Sequence, residues 1–492
     1  MINGLGSYNN PLTGNNTLIA AYGNDMVNVA TGLGYRVNLD SDYQVNFASL
    51  LNSLFFQNYI DTPRTFNGTT WSRTHVGKLP LSRYIYPWDN RMYLGYLKIK
   101  DTEYASRIWL SDLPKNDILH WGYEDGDDLQ MFAGSPVIKS NLAYFVTNGI
   151  KRGDSIFILS GTNAGEYIVQ SIDHEKQITL TESLVASESG VSFWVGSNYI
   201  DFDRDDGDFI TWITENSNQL AVLKRDSFHL YDRQSRRKVT DALGTTSGRS
   251  VINMEGVTVY FHGSSALETG FYACDGRESI LISSAVTRHI QGIDQSMYNR
   301  VIAWREGTLY RAYIGTITNT NYDLSIPQAI FTYDFESNAG SIDPISHTIE
   351  AATQFREANN RFAFFGTGDA KVMKTPSGNS FDGENISFDV ENWPVYPEGT
   401  DMMNEFTRIQ VISENAKGTR VLYKLHLSPF ESSEDWIPLG QITGEKTEFE
   451  LDLSHNMASG ISLYFTGIGD KEVTEVIKKY TVFYKPLSTV IQ

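Results

Sequence analysis

Alternating hydrophobic and polar positions dominate the second half of the chain. Runs with this period-two pattern start near residues 208, 256, 300 and 350, and Gly, Asp or Asn residues interrupt each run. Such alternation is typical of half-buried β-strands joined by tight turns. The starts lie roughly 40 to 50 residues apart, which is the length of one four-stranded propeller blade. The pattern therefore predicts a β-propeller.

Earlier segments follow the same plan less regularly. Residues 48–74 and 90–113 each contain further alternating runs, which brings the predicted number of blades to six or seven. The N-terminal stretch "NTLIAAYGNDMVNVATG" (16–32) is a candidate for closing the ring. Apolar residues at helical intervals predict one short surface helix over 285–298.

Two segments depart from the blade pattern. Residues 149–197 contain short strands with Gly turns and predict a small inserted β-barrel. After about residue 380, a polar linker with two prolines precedes seven or eight alternating strands, which predict a C-terminal β-sandwich. The predicted fold is therefore all-β, with the propeller in residues 1–148 and 198–380, the barrel in 149–197 and the sandwich in 381–492.

The composition agrees with this fold and excludes some classes of function. The chain has 492 residues, 41% of them hydrophobic and 13% aromatic, and a formal net charge of −19. This charge disfavours conventional nucleic-acid binding, because the surface as a whole repels phosphate. The single cysteine, Cys274, has no partner for an internal disulfide. We find no pattern of a secretion signal or a membrane span.

The stretch "DFDRDDGDFI" (201–210) is the most acidic in the chain. A calcium loop of the EF-hand type needs glycine at its sixth position and glutamate at its twelfth. Here those positions are Asp206 and Trp212, so the spacing does not fit a calcium loop. We expect Asp203, Asp205, Asp206 and Asp208 to form a solvated acidic turn at a blade entrance, where each exposed charge contributes little to stability.

The strongest basic cluster is "RQSRRK" (233–238), which contains Arg236, Arg237 and Lys238. It is either a solvated loop or a docking contact with an acidic neighbour or DNA. The sequence contains no nucleophile elbow, phosphate-binding loop or zinc-protease motif. "NGTTW" (67–71) keeps only the tail of the repeated turn motif of sialidases. We therefore expect no enzymatic activity, no cofactor and no metal.

The order of the segments resembles the β-propeller tail hub proteins of short-tailed bacteriophages. The resemblance covers roughly residues 80–300 and rests on the pattern and order of "NRMYLGYL", "SRIWLSDL", "DILHW", "GIKRGDSIFILSGTNAGEYIV", "IDFDRDDGDFITWITENSNQLAVLKRDSFHLYD" and "GRSVINMEGVTVYFHGSSALETGFYACDGRESILIS". Members of this group are called stabilisation, stopper, adaptor or nozzle proteins.

The resemblance implies a virion structural protein, assembled in the host cytoplasm, that forms a ring, commonly of six copies. Such a ring lies below the portal and its connector, contacts other tail proteins and encloses the DNA exit channel without sequence-specific binding. The acidic turn would then face the channel or a subunit contact.

Two alternatives stay open from the residues. The first is a host-recognition module that binds glycans, with Trp393, Tyr396 and Trp436 as candidate sugar-binding aromatics, and the second is a propeller glycosidase.

Overall fold

The computed structural model describes most of the chain. The described residues are 1–10, 14, 16–40, 43–61, 63–72, 81–99, 102–111, 124–196, 199–204, 206–264, 269–320, 324–357, 360–375, 380–381, 384–385, 387–391, 394–399, 402–428, 431–432, 436–452, 456–468 and 476–490. They form two compact units, residues 1–375 and 376–492. The all-β prediction is confirmed.

The N-terminal unit begins with two four-stranded antiparallel sheets. Sheet 1 consists of β1 (Ile2–Asn9), β2 (Asn16–Tyr22), β3 (Asp25–Asn28) and β4 (Gly34–Arg36). Sheet 2 consists of β5 (Asn46–Leu50), β6 (Ser53–Gln57), β7 (Arg64–Phe66) and β8 (Trp71–Ser72). The segment expected to close the ring, 16–32, thus contains two strands of sheet 1.

A barrel interrupts the third sheet. Sheet 3 starts with β9 (Leu81–Trp88), β10 (Arg91–Ile99) and β11 (Thr102–Leu110). The barrel then follows, with β12 (Glu124–Met131), β13 (Val137–Lys139), β14 (Ser155–Ile158), β15 (Gly165–His174), β16 (Gln177–Leu180) and β17 (Glu188–Val195). The chain returns to sheet 3 as its fourth strand, β18 (Tyr199–Asp201), which pairs with β11.

The inserted barrel is closed and has its own hydrophobic core. Its strands are ordered β12-β13-β16-β15-β14-β17 around the circumference. The barrel begins before the predicted start at residue 149, because β12 and β13 belong to it. Its core includes Leu129 and Ile138 from these two strands.

Four more sheets follow the barrel. Sheets 4 and 5 consist of β19 (Ile210–Asn216), β20 (Gln219–Lys224), β21 (Phe228–Tyr231) and β22 (Arg236–Thr240), then β23 (Ile252–Met254), β24 (Val257–His262), β25 (Gly270–Cys274) and β26 (Ser279–Leu281). Sheets 6 and 7 consist of β27 (Ile302–Glu306), β28 (Leu309–Asn319), β29 (Leu324–Asp334) and β30 (Ala339–Pro344), then β31 (Ile349–Glu357), β32 (Asn360–Thr367) and β33 (Val372–Thr375).

The sheets are arranged in a β-propeller-like cycle. The first strand of each sheet contacts the first strand of the next sheet in chain order, and β31 of sheet 7 contacts β1 of sheet 1. Side chains pack between neighbouring sheets, as in the core that Phe261 of sheet 5 shares with Phe331 of sheet 6. The predicted surface helix is a series of short helical turns, Ser284–Val286, Thr287–Ile290 and Gln295–Met297, and another turn spans Gly248–Ser250.

The C-terminal unit contains two antiparallel sheets that share one core. One sheet consists of β36 (Ser387–Glu391), β38 (Arg420–Ser428), β39 (Glu431–Ser432), β40 (Ile437–Gln441) and β43 (Gly460–Ile468). The other consists of β37 (Met402–Glu414), β41 (Lys446–Glu450), β42 (Met457–Ala458) and β44 (Val476–Val490). A separate hairpin pairs β34 (Ser380–Phe381) with β35 (Glu384–Asn385).

Candidate functional site: the acidic loop and the barrel anchor

The acidic stretch connects sheet 3 to sheet 4. Asp201 ends β18, and the described residues 202–204 and 206–209 lie between it and β19. We call residues 201–208 the acidic loop. Asp203 has a positive φ of 46°, a left-handed conformation that Asp adopts more readily than most residues. Asp205 lies outside the described residues.

A buried lysine holds the acidic loop. Lys224, the last residue of β20, has a fully buried side chain, whereas the side chain of Asp206 is 32% exposed. The Nζ atom of Lys224 donates to both carboxylate oxygens of Asp206 at 2.7 Å. It also donates to the carbonyl oxygens of Phe202 at 3.0 Å and Asp203 at 3.3 Å. The loop therefore wraps around the charge that it neutralises.

The pKa of Asp206 reflects this contact. Partial burial acts to raise its pKa, but the hydrogen bonds and the positive charge of Lys224 outweigh burial, and the pKa lies below the ordinary value. A buried ammonium group without a carboxylate would carry a large desolvation cost. Asp206 thus serves as the counter-ion of Lys224.

Asp208 fixes a neighbouring turn of sheet 4. Its carboxylate accepts hydrogen bonds from the Ser227 hydroxyl at 2.9 Å and from the backbone N–H groups of Phe209 at 2.8 Å and Asp226 at 3.2 Å. Its carbonyl oxygen accepts a hydrogen bond from the Ser106 hydroxyl of sheet 3 at 2.8 Å. Asp208 therefore links the acidic loop to both neighbouring sheets.

The structure also brings the acidic loop together with the basic cluster. The Nζ atom of Lys238 lies 2.6 Å from a carboxylate oxygen of Asp203 and 2.9 Å from one of Asp241. The hydrogen bond to Lys238 lowers the pKa of Asp203, and the two carboxylates raise the pKa of Lys238. Arg237 donates to the Gly276 carbonyl oxygen at 2.6 Å, and Arg236 is exposed on β22.

The three described members of the acidic set keep part of their surface exposed, and each is also held by partners in the fold. Asp203, Asp206 and Asp208 each have partners on sheet 4 because Lys224, Lys238 and the Ser227 turn lie at the adjoining end of that sheet. Among the described residues, which exclude Asp205, no group of three or more His, Cys, Asp or Glu side chains is arranged to hold a metal ion.

A second charged cluster anchors the barrel to sheet 3. Arg107 of β11 is 3% exposed, and its guanidinium donates to Asp201 at 2.7 and 3.0 Å and to Glu166 of the barrel at 3.0 Å. The guanidinium carbon also lies 3.8 Å from the ring centroid of Tyr199. Burial acts to lower the pKa of Arg107, but the two carboxylates raise it above its ordinary value.

Aromatic rings extend this anchor. The ring centroid of Trp109 on sheet 3 lies 4.4 Å from that of Phe157 and 4.6 Å from that of Trp194. Phe157 and Trp194 both belong to the barrel. All three side chains are fully buried and belong to a core that also includes Ala48 of sheet 2. Barrel and sheet are thus joined through a shared core rather than through a flexible tether.

The residues that build these two clusters include several that the sequence analysis missed. Leu220 and Val222 point into the core between sheets 3 and 4, and Lys224 continues the same alternation. A lysine at an inward position of a strand needs a buried partner. That signal is weak in "QLAVLK", because Ala221 and Leu223 on the other face of the strand are also apolar and buried.

A cavity of about 520 Å³ lies along the inner strands of the propeller-like unit. Tyr86, Trp212, Trp304, Glu215 and Arg361 contribute to its lining. The buried Nε1 atom of Trp304 has no hydrogen-bond partner among the described residues. The cavity therefore offers aromatic surface together with polar groups of both charges.

The aromatic residues proposed for glycan binding in the C-terminal unit contact neighbouring side chains. The ring centroid of Trp436 lies 5.2 Å from that of Tyr464, and Tyr396 lies 6.3 Å from His426. Trp393 lies outside the described residues. No helix in the described parts of the chain is both long and apolar enough to cross a membrane.

Comparison with known proteins gives no family assignment. No protein-family model matches the chain, and no curated protein matches it. Among solved structures, the endosialidase of phage phi92 is 10% identical, with 91% of this chain and 72% of that chain covered and a TM-score of 0.21. Puromycin hydrolase is 8% identical with a TM-score of 0.25, and the match covers 73% of this chain and 56% of that enzyme.

A family 43 arabinoxylan arabinofuranohydrolase from Bacillus subtilis is also similar. It is 8% identical, the match covers 83% of this chain and 95% of that chain, and the TM-score is 0.19. All three TM-scores are far below 0.5, so these likenesses support no inference about the activity of this protein.

Proposed function

We propose that this protein is a non-enzymatic structural component of a bacteriophage tail, which assembles with copies of itself into a closed ring around the DNA exit channel. In the virion it would contact the portal or connector and other tail proteins. Genomic DNA would pass through the ring without sequence-specific binding. Assembly of the ring would take place in the host cytoplasm.

The architecture supports this proposal. We infer that the seven sheets are the blades of a seven-bladed propeller, because their first strands contact one another in a closed cycle. The barrel is inserted between the third and fourth strands of the third blade. This arrangement follows the order of the sequence segments that resemble tail hub proteins.

The observation that carries the proposal is the rigid attachment of the barrel. Arg107, buried and bound to Asp201 and Glu166, fixes the barrel to the third blade together with the shared aromatic core. Subunits of a symmetric ring need surfaces that keep one orientation, because each flexible joint adds an entropic cost to association. A barrel fixed in this way supplies such a surface.

The charge of the chain suits a DNA channel. A formal charge of −19 per copy would make the inner wall of a ring repel phosphate, so that DNA would not adhere during passage. The carboxylates of Asp203 and Asp206 keep partial exposure, at 37% and 32%. We assign the outer side of the acidic loop to the channel or to a subunit contact.

Native mass spectrometry of the purified chain, alone and with its connector partner, tests the proposal. We expect one closed oligomer of defined size, with six copies as the leading stoichiometry. A chain that stays monomeric under both conditions, at concentrations well above those found in an assembling virion, would refute it. Negative-stain micrographs would distinguish a closed ring from an open filament.

A second candidate function is the binding of a neutral sugar in the cavity of about 520 Å³ that lies along the inner strands. The specific observation that favours it is the cavity lining, which combines Tyr86, Trp212 and Trp304 with the polar side chains of Glu215 and Arg361. Aromatic faces and a few polar groups are typical of small-ligand pockets. Calorimetric titration with neutral disaccharides would detect such binding, and Trp212→Ala should abolish it. Absence of heat with a broad disaccharide panel would exclude this function.

A further inference from the structure

The barrel exposes three apolar side chains in a row. Leu142, Tyr144 and Val146 are 65%, 54% and 55% exposed, whereas the intervening Ala143 and Phe145 are buried in the barrel core. We call Leu142, Tyr144 and Val146 the apolar strip. Single exposed apolar residues are ordinary on protein surfaces, but three on one side of one segment form a contiguous patch of the kind found at interaction sites.

Hydrogen bonds hold the strip in its conformation. The carboxylate of Asp128 accepts the backbone N–H groups of Asn141 at 2.7 Å and Leu142 at 3.0 Å. The carboxylate of Glu175 accepts the N–H of Val146 at 3.1 Å. Ala143 and Phe145 also fix the segment, because their side chains are buried in the barrel core. The backbone of the strip therefore has little conformational freedom left to lose on binding.

The charges around the strip differ from those of the chain as a whole. All four Lys and Arg residues between positions 124 and 196 flank the strip in sequence or in space: Lys139, Lys151, Arg152 and Lys176. The Nζ atom of Lys176 lies 3.6 Å from the ring centroid of Tyr144.

The nearby carboxylates balance these cations. Asp128, Glu175 and Asp154 accept hydrogen bonds from loop N–H groups beside the strip. The segment 139–152, which contains the strip, carries Lys139, Lys151 and Arg152 and no Asp or Glu, on a chain whose formal net charge is −19. A second copy of this acidic chain meets less electrostatic repulsion at the patch than over the average surface.

We propose that the apolar strip binds a second copy of this chain, at an acidic surface other than the strip itself. Two strips placed face to face would set the basic segment 139–152 of one copy against that of the other, and this like-charge contact disfavours a two-fold interface. A contact between two different surfaces of identical chains is heterologous, and repetition of such a contact generates a ring when the rotation closes. The inference rests on the proposed ring function and identifies one side of its subunit contact.

The test compares two triple variants of the full chain. Leu142→Ser, Tyr144→Ser and Val146→Ser together remove the strip. The control variant, Ile280→Ser, Leu427→Ser and Met457→Ser, removes apolar side chains of similar exposure, 59%, 48% and 55%, elsewhere on the surface. At equal concentration, native mass spectrometry should show at least a tenfold loss of the oligomer for the strip variant and none for the control.

The outcomes separate this inference from the proposed function. A wild-type monomer refutes both. A wild-type ring that the strip variant still forms to the same extent refutes only the role of the strip. If the strip variant loses its cooperative thermal transition, Lys139→Glu with Lys176→Glu replaces it, and this charge reversal should also weaken the oligomer at least tenfold. An unchanged oligomer in that variant overturns the inference.

Discussion

Replacing Asp206 with Asn removes the counter-ion of a buried lysine. The substitution keeps the shape of the side chain and one acceptor oxygen, but it leaves the fully buried Lys224 without a carboxylate. Breaking a buried ion pair on one side typically costs about 3–5 kcal/mol. Lys224 keeps two carbonyl partners, and Asp206 is 32% exposed, so water partly compensates for the loss. We therefore expect Asp206→Asn to destabilise the N-terminal unit by about 2–3 kcal/mol.

Urea unfolding of the full chain, with hydrogen exchange of the peptide 202–209, measures the effect. Asp241→Asn is the matched control, because Asp241 is 81% exposed and shares Lys238 with Asp203. Its cost should stay below about 0.5 kcal/mol. The double change Lys224→Met with Asp206→Asn should recover most of the lost stability, because it removes both members of the pair.

The pH dependence gives an independent check. The pKa of Asp206 is lower in the folded protein than in the unfolded chain, so its contribution is complete above the ordinary carboxyl pKa and is lost as pH falls through the folded pKa. The wild type and Asp206→Asn should therefore differ most near neutral pH and converge in strong acid. Equal stability of the two proteins at pH 7, with unchanged exchange in the loop, would refute the counter-ion role.

Three further variants probe the barrel anchor, a buried histidine and a tight contact. Arg107→Met should lower stability by about 2–4 kcal/mol and let a protease release the barrel, because two partly buried carboxylates lose their cation; unchanged proteolysis would contradict the anchor. Burial lowers the pKa of His229 to about 4, so the wild type should lose stability as pH falls from about 6.5 to 4, and His229→Gln should flatten part of this slope in thermal melts. A methyl group at Gly248 would lie 2.0 Å from the Thr211 carbonyl oxygen, so Gly248→Ala should cost about 1–3 kcal/mol, and an unaltered melting temperature would show that the turn can move.

The sequence was sufficient to predict strands wherever one face of a strand is buried. The run 208–232 contains β19, β20 and β21, as its alternation predicted. The first strand of the barrel was harder to predict from the sequence. β12 includes Asp125, Asp127 and Asp128, and such a sequence has no period-two apolar pattern. The last strand of sheet 3, β18, has only three residues, and its pairing with β11 depends on the barrel that separates them.

The candidate site was predictable only in part. The sequence identified the acidic loop and the basic cluster, but not that Asp203 and Lys238 are in contact. Residues of opposite charge that lie 35 positions apart have no local pattern that pairs them, so only the fold brings them together. Lys224 and Arg107 were overlooked because charged residues in strands are usually exposed, whereas both are buried here.

The junction between sheet 1 and sheet 7 has a consequence for how the molecule opens. Each of these two sheets consists of its own consecutive strands, so no described strand is exchanged across the junction. Ile2, Leu5 and Phe364 pack together there, and Asn16 donates to the Arg356 carbonyl oxygen at 2.6 Å. Consecutive sheets are also joined by the chain that runs from one to the next, whereas sheets 1 and 7 are the first and last of the cycle in chain order, and among the described residues only side-chain and backbone contacts of this kind hold them together. The junction is therefore the place where thermal fluctuation or mechanical tension should first convert the closed cycle into an open arc.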